Sequence, residues 1–311
     1  MKIIEKDEVF EKLDMNSCIK LMKEALSDLD KGKAAQPLRA MYKLPGGETF
    51  GFMPAYLGSD TCYGAKVVVA CPQNVGTTYP SHSGYVMIFD SAHGQVKGLA
   101  DAGAITQIRT GAVSAVATDL LSRKDSKTLA IIGCGAQGRS HLEAILLVRD
   151  IKLVKVYDLR MEASEKYKQE MEAKFHVQIE ICNSVEECVK DADIVCTLTN
   201  AKSAYLKAEW IKPGTHINAV GTFTPSTAEV CPELFTKAKV YCDNIEACKK
   251  ESGEYLDALK QGLVDETILK GSIGDIINNV VEGRTNDQEI TMFDALGMAI
   301  EDVACGKFLC L

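Results

Sequence analysis

Three glycines give the most specific chemical signal in the chain. Gly133, Gly135 and Gly138 fall in LAIIGCGAQGRSHLEAI, residues 129–145. A strand-like run precedes them and a helix-like run follows, the context a dinucleotide-binding turn needs. Gly133 permits the tight turn, Gly135 lets the backbone approach a pyrophosphate, and Gly138 lets the helix pack on the strand. Free N–H groups at the helix start then bind the anion. Asp158 closes the next strand-like run, KVYD, 25 residues after Gly133. A carboxylate there accepts hydrogen bonds from ribose hydroxyls and repels a 2′-phosphate, which favours NAD(H). Arg160 is near enough to keep NADP(H) possible. The plain structural alternative is a tight strand–helix turn that holds no ligand.

Three cations form a second group. Lys66 sits in an otherwise apolar run, AKVVVA, where a lysine is costly unless it is paired or kept neutral. A lysine on an edge strand can instead snorkel to water, and the residues alone leave both readings open. Arg39 and Arg109 supply planar forks suited to a carboxylate, although an arginine is more often a surface or ion-pairing residue. His82, in YPSHSG, is a lone loop histidine, a type that is usually structural. The stretch HINAVGTFTPSTAEV, residues 216–230, reads as a strand running into a loop. In a nucleotide-binding sheet that is a usual place for chemistry, yet after Gly221 no charged side chain occurs until Glu229.

The elements that must position these residues follow from periodicity. Residues 16–31 read as a helix with Ile19, Met22, Leu26 and Leu29 at helical spacing, Asn16 or Ser17 at its start and Gly32 at its end. Residues 37–100 hold short runs rich in β-branched and aromatic residues, RAMYKL, ETFGFM, YGAKVVVA, GYVMIFD and QVKGLA, and read as an antiparallel meander. The small-residue segment 104–121 reads as closely packed helix. From Thr128 the strand-like runs LAIIG, LVKVYD, VQIEI, DIVCTLT, THINAVG and KVYCDN alternate with helical stretches, which implies a doubly wound parallel sheet of Rossmann type. GSIGDIINNVVEG follows, and TMFDALGMAIEDVACGKFL reads as a final helix. The expected fold class is therefore α/β, a Rossmann-type sheet plus an α+β unit with an antiparallel sheet. The expected domains are 1–118, completed by helix 298–311, and 119–297.

Composition narrows the function classes. The chain has 311 residues, 46% hydrophobic and 25% charged, with a formal net charge of −8. That balance argues against nucleic acid as a partner. No run approaches the ~18 apolar residues that cross a membrane, and the charged N-terminus is no signal peptide. The twelve cysteines form no CxxC pair and no zinc spacing, so neither a metal nor a disulfide framework is expected, and the setting is a reducing cytoplasm.

Several segments together carry a resemblance: QPLR (36–39), GFMPAY (51–56), YGAK (63–66), ITQIRTGAVSAVAT (105–118), IIGCGAQG (131–138), HINAVG (216–221) and LGMAIED (296–302). The chain resembles the ornithine cyclodeaminase/mu-crystallin family nearly end to end. The family holds cyclodeaminases, amino-acid dehydrogenases, cyclic ketimine reductases and a hormone-binding crystallin, so activity is the second inference and fold the first. The resemblance implies a homodimer through the N-terminal domain, 1–118 being the substrate-binding and dimerisation part and 119–297 the NAD(P)-binding part. It implies Lys66 as the active-site lysine and Arg39 with Arg109 as the carboxylate-holding pair, with Met53, Phe223 and His82 near the substrate. It implies Thr110, Gly133, Gly135, Ala136, Gln137, Gly138, Asp158, Arg160, Thr197, Thr199, Val220 and Gly221 along the cofactor.

Two positions depart from the cyclodeaminase members. Their aspartate after the INAVG strand is Phe223 here, and their glutamate two residues before the MP dipeptide is Gly51. Losing two acids removes the proton-transfer groups that deamination needs. The leading expectation is an NAD(P)H-dependent reductase of a cyclic 2-carboxy imine, pyrroline- or piperideine-2-carboxylate, giving proline or pipecolate. Ornithine cyclodeamination, with Glu229 or Glu48 replacing the missing acids, is the alternative, together with an open-chain amino-acid dehydrogenase and an opine-type condensation. The last alternative is a non-catalytic, nucleotide-dependent binder of a small molecule.

Overall fold

The computed structural model describes residues 1–58, 62–74 and 77–311, which form two compact units: Met1–Arg109 with Met298–Leu311, and Thr110–Gly297. In the first, β1 (Lys2–Ile4) and α1 (Lys6–Lys12) precede the long α2 (Met15–Asp30). Asp14, rather than Asn16 or Ser17, caps α2: its carboxylate accepts the Ser17 N–H at 2.9 Å. Strands β2 (Ala40–Lys43), β3 (Thr49–Leu57), β4 (Cys62–Ala70), β5 (His82–Asp90) and β6 (Val96–Asp101) form the expected antiparallel meander, and β1 adds itself to β6 in parallel. Gly51, Met53 and Ala55 on β3 alternate with outward residues, as do Val86 and Ile88 on β5. Their buried face is covered by the C-terminal helix Ala299–Cys310, which also packs on α2. A helix covered on two sides is apolar nearly all round, so the charges it does carry need explaining.

Helix α3 (Ala102–Leu121) carries the chain into the second unit. There β7 (Thr128–Ile132), α4 (Ala136–Leu146), β8 (Leu153–Tyr157), α5 (Met161–Phe175), β9 (Gln178–Ile181), α6 (Val185–Val189), β10 (Ile194–Thr197) and β11 (His216–Ala219) follow the expected alternation. β12 (Ala238–Cys242), α7 (Ile245–Glu251), α8 (Gly253–Lys260), β13 (Leu269–Ser272), α9 (Ile273–Ile277) and β14 (Ile290–Asp294) complete it. The sheet is parallel throughout, in the order β13-β12-β14-β11-β10-β7-β8-β9. The fold is the expected Rossmann-type α/β class.

One expected helix is corrected. TMFD, read as the start of the final helix, is β14, a central strand between β11 and β12. All five of its residues are buried. A strand buried on both faces has no apolar–polar alternation, so periodicity cannot separate it from buried helix. Gly297, at φ +78°, breaks the chain before the true helix.

Candidate functional site

In the first unit, strand register assembles the cationic site. Met53 on β3 pairs directly with Lys66 on β4, and Lys66 with Val86 on β5. Directly opposed residues share a face, so Lys66 points with Met53 toward the buried side. Two pairs along, on the same face, Met41 faces Gly51 and Gly51 faces Val68. The space a side chain at position 51 would enter is filled: a Cβ there would lie 2.9 Å from the Met41 Sδ. The missing glutamate is thus replaced by thioether and valine, an apolar floor beside Lys66.

Two acids of the C-terminal helix meet these cations. Lys66 Nζ lies 2.6 Å from Asp302 Oδ2, Arg109 Nη1 lies 2.7 Å from Glu301 Oε2, and Arg109 Nε lies 3.3 Å from Asp302 Oδ1. All four side chains are buried. Two positive and two negative charges balance, which makes the cluster tolerable in a low-dielectric interior. Burial pushes the Lys66 amine below its usual value, Asp302 pulls it back up, and Arg109 adds to the lowering. Ion pairs thus engage the Nε and Nη1 of Arg109. Arg39 is half-buried at the entry to β2, and its segment is fastened where Gln36 Oε1 accepts the Ile300 N–H at 2.8 Å. His82 is exposed, its ring 3.1 Å from the Ser81 hydroxyl, and it pairs with Ala70 rather than Lys66. That is four residues, roughly 13 Å, along the strand. Glu48 accepts a bond from Gln73 at 2.7 Å.

In the second unit the cofactor residues collect at the carboxyl ends of neighbouring strands. Strand order reverses at β7, whose neighbours are β8 and β10, and such a switch point is where nucleotides bind. Gly133, at φ +105°, turns the chain out of β7, and Gly135 caps α4 with nothing within 4 Å of where its Cβ would lie. A Cβ on Gly138 would fall 2.5 Å from the Gly133 carbonyl oxygen. Gly135 and Ala136 are exposed and Gln137 is half-buried, so the helix N-terminus faces open space. Asp158 Oδ2 accepts the Cys134 N–H and Oδ1 the Arg160 N–H, both at 3.0 Å, while the Arg160 side chain extends into solvent. Cys134 itself points inward and burial raises its thiol to about 11, so it is inert. Helix α3 crosses α4 where Gly111 meets Ser140, a Cβ there lying 2.7 Å from the Ser140 carbonyl oxygen; this puts buried Thr110 beside the first turns of α4.

Thr197 ends β10, and its carbonyl accepts the Val220 and Gly221 N–H groups that follow β11. Thr199 and Gly221 are joined by Glu229, which is fully buried and takes hydrogen bonds from both. Phe223 stands 45% exposed on the same loop. The sequence reading missed Glu301, Asp302 and Glu254 as members of these clusters. Its available signal was two adjacent acids inside the apolar run GMAIEDVACG, which demand buried cations as partners. Among the described residues no group of three or more His, Cys, Asp or Glu side chains is placed to hold a metal.

The glycine-rich turn at a strand-order reversal, joined to an α+β unit with a buried lysine, defines a Rossmann-type α/β protein. The chain belongs to the ornithine cyclodeaminase/mu-crystallin family, which it matches over residues 2–310. A Delta(1)-pyrroline-2-carboxylate reductase of Bacillus cereus is 34% identical over 311 residues, covering 99% of this chain and 95% of the relative. The structure of Thermococcus litoralis Delta(1)-pyrroline-2-carboxylate reductase in complex with NADH and L-proline aligns with a TM-score of 0.96 at 33% identity, covering 99% of this chain and 96% of that one. An archaeal alanine dehydrogenase dimer with bound NAD gives 0.94 at 32% identity, covering 99% and 94%.

Proposed function

We propose that the protein is an NADH-dependent reductase of a cyclic 2-carboxy imine, reducing pyrroline-2-carboxylate to proline and, in the wider ring, piperideine-2-carboxylate to pipecolate. The observation that carries this reading is the Lys66–Asp302 pair beside an apolar floor, with Gly51 and Phe223 standing where the cyclodeaminase members carry acids. The C=N bond must gain one proton on nitrogen and one hydride on carbon. Bound NADH supplies the hydride. Arg39, with Arg109, holds the substrate carboxylate and so fixes which carbon is presented. Lys66, whose amine burial pushes below its ordinary value, gives the imine nitrogen its proton, and Asp302 holds the ammonium in place. Met41, Met53 and Val68 face the ring methylenes and exclude water from a hydrolysable imine. The family resemblance assigns His82 and Phe223 to the substrate as well.

Gly133, Gly135, Ala136, Gln137, Gly138 and Thr110 hold the pyrophosphate, Asp158 the adenosine ribose, and Thr197, Thr199, Val220 and Gly221 the nicotinamide side. Asp158 favours NADH, and Arg160 leaves NADPH a weaker substitute. The protein acts as a homodimer through the outer face of the antiparallel sheet, where Tyr42, Phe52 and Tyr56 are exposed. Its setting is cytoplasmic, a reading that twelve free cysteines support; among the described residues no helix is long and apolar enough to cross a membrane. The test mixes purified protein with pyrroline-2-carboxylate and NADH and follows NADH absorbance. Oxidation with formation of proline is expected; ammonia from ornithine without net NADH change would replace the reading with cyclodeamination.

A further inference from the structure

The loop after β11 carries no charge of its own at the cofactor edge, yet it is fastened from beneath by two buried glutamates. Glu229 Oε1 accepts the Thr199 N–H at 2.6 Å, the Thr199 hydroxyl at 2.6 Å and the Tyr205 hydroxyl at 2.8 Å. Its Oε2 accepts the Gly221 N–H at 2.8 Å. Thr199 follows β10 and Gly221 follows β11, and these strands are paired neighbours. One carboxylate therefore ties two adjacent strand ends together. The approach is so close that a Cβ on Gly221 would fall 2.2 Å from the Thr199 carbonyl oxygen and 2.5 Å from Glu229 Oε2. The far end of the loop is held by Glu254, in the first turn of α8. Its Oε1 accepts the Glu229 N–H at 2.7 Å, the Val230 N–H at 3.2 Å and the Thr222 hydroxyl at 3.1 Å.

In a Rossmann-type sheet the half beyond the switch point takes the nicotinamide end of the dinucleotide. We propose that Glu229 is a positioning residue for the nicotinamide end of the cofactor, setting the spacing of the β10 and β11 strand ends, with Glu254 holding the loop between them. The inference rests on the reading of the protein as an NADH-dependent reductase. Glu229 is not a substitute acid for the missing aspartate, because both its oxygens are committed to donors within the fold. The two glutamates also differ in what they can tolerate. Glu229 receives donors on both oxygens, so an amide there would set its NH2 against an N–H or hydroxyl donor. Glu254 receives all three on one oxygen, which an amide carbonyl can replace. Burial raises both carboxyls. Asp294 and Glu229 push Glu254 well up, while Thr199 and Tyr205 pull Glu229 down again.

The test measures Kd for NADH and for ADP-ribose, together with kcat at saturating NADH, in the intact protein and in Glu229→Gln and Glu254→Gln. Glu229→Gln is expected to weaken NADH by about tenfold or more, the scale of one buried donor left unmatched. ADP-ribose, which lacks the nicotinamide, should bind within about twofold of the parent, and Glu254→Gln should weaken NADH less than Glu229→Gln. A generally loosened fold would weaken both ligands alike and overturn the proposal. So would unchanged NADH affinity, or a collapse of kcat at unchanged NADH affinity. If Glu229→Gln does not fold, Thr199→Val removes a single hydroxyl donor. A threefold or so loss of NADH affinity with ADP-ribose unchanged is then expected, and no loss overturns the proposal. Failure of the parent protein itself to bind NADH would defeat the reductase reading instead.

Discussion

The two units bury carboxylates in opposite ways. In the first, Glu301 and Asp302 face Arg109 and Lys66, and the cluster is neutral because every charge has a counter-charge. In the second, Glu229, Glu254 and Asp294 are buried and take their hydrogen bonds from N–H, hydroxyl and thiol groups. The first arrangement keeps a proton mobile: burial pushes the Lys66 amine below its ordinary value while Asp302 pulls it back, so it gives up its proton more readily than a free lysine. The second keeps geometry fixed, since hydrogen bonds are directional. The difference teaches where chemistry and where positioning belong in this molecule.

The comparison breaks most readily at Lys66. Lys66→Met is expected to lower imine reduction by 10² to 10⁴, the usual contribution of a positioned acid, with NADH affinity unchanged. Stopped-flow or steady-state NADH oxidation reads the first and fluorescence titration the second. A rate within tenfold of the parent would remove proton delivery from the ion-paired cluster. Asp302→Asn follows. It strands Lys66 without the partner that raises its pKa, so the amine loses its proton at lower pH and the alkaline limb of the kcat/KM profile moves toward acid. Breaking a buried pair also costs about 3–5 kcal/mol, visible in urea denaturation. An unmoved alkaline limb would mean that another group supplies the proton.

What could be read from the sequence divides along the same line. The glycine turn and Asp158 were legible because each acts through local backbone and one strand spacing. Lys66 was legible as an anomaly, a charge in an apolar strand. Its partner was not, because Asp302 lies on a helix 236 residues further along the chain, and only the folded chain brings that helix onto the sheet. The ion pairs of Arg109 were hidden for the same reason. β14 was misread as helix because a strand flanked by β11 and β12 buries every residue and loses its period. Glu229 was visible as the first acid after Gly221, but nothing local announces that Thr199, Tyr205 and Gly221 converge on it.

The smallest expected effect sharpens the second, cation-free arrangement. Asp294, at the end of β14, accepts bonds from Ser252 at 2.6 Å and the Cys248 thiol at 3.4 Å, and burial raises its carboxyl from 3.8 to about 6. Asp243 pushes the same way. The unfolded chain releases this proton near its ordinary value, whereas the folded chain keeps it up to about 6. Between those values the folded state holds more protons, so unfolding free energy falls as pH rises, by at most about 1.4 kcal/mol per pH unit. The benefit is complete in acid and gone above the folded value. Asp294→Asn cannot titrate, so the difference between parent and variant in urea stability should change between pH 3.8 and about 6, the window set by these values, and be level above it. The Asp294 side chain bonds Ser252 and Cys248 rather than Thr199 or Gly221, so NADH affinity should stay within about twofold. A difference that is flat across the whole window would show that Asp294 is charged in the fold and that a cation, not a neutral donor, answers it.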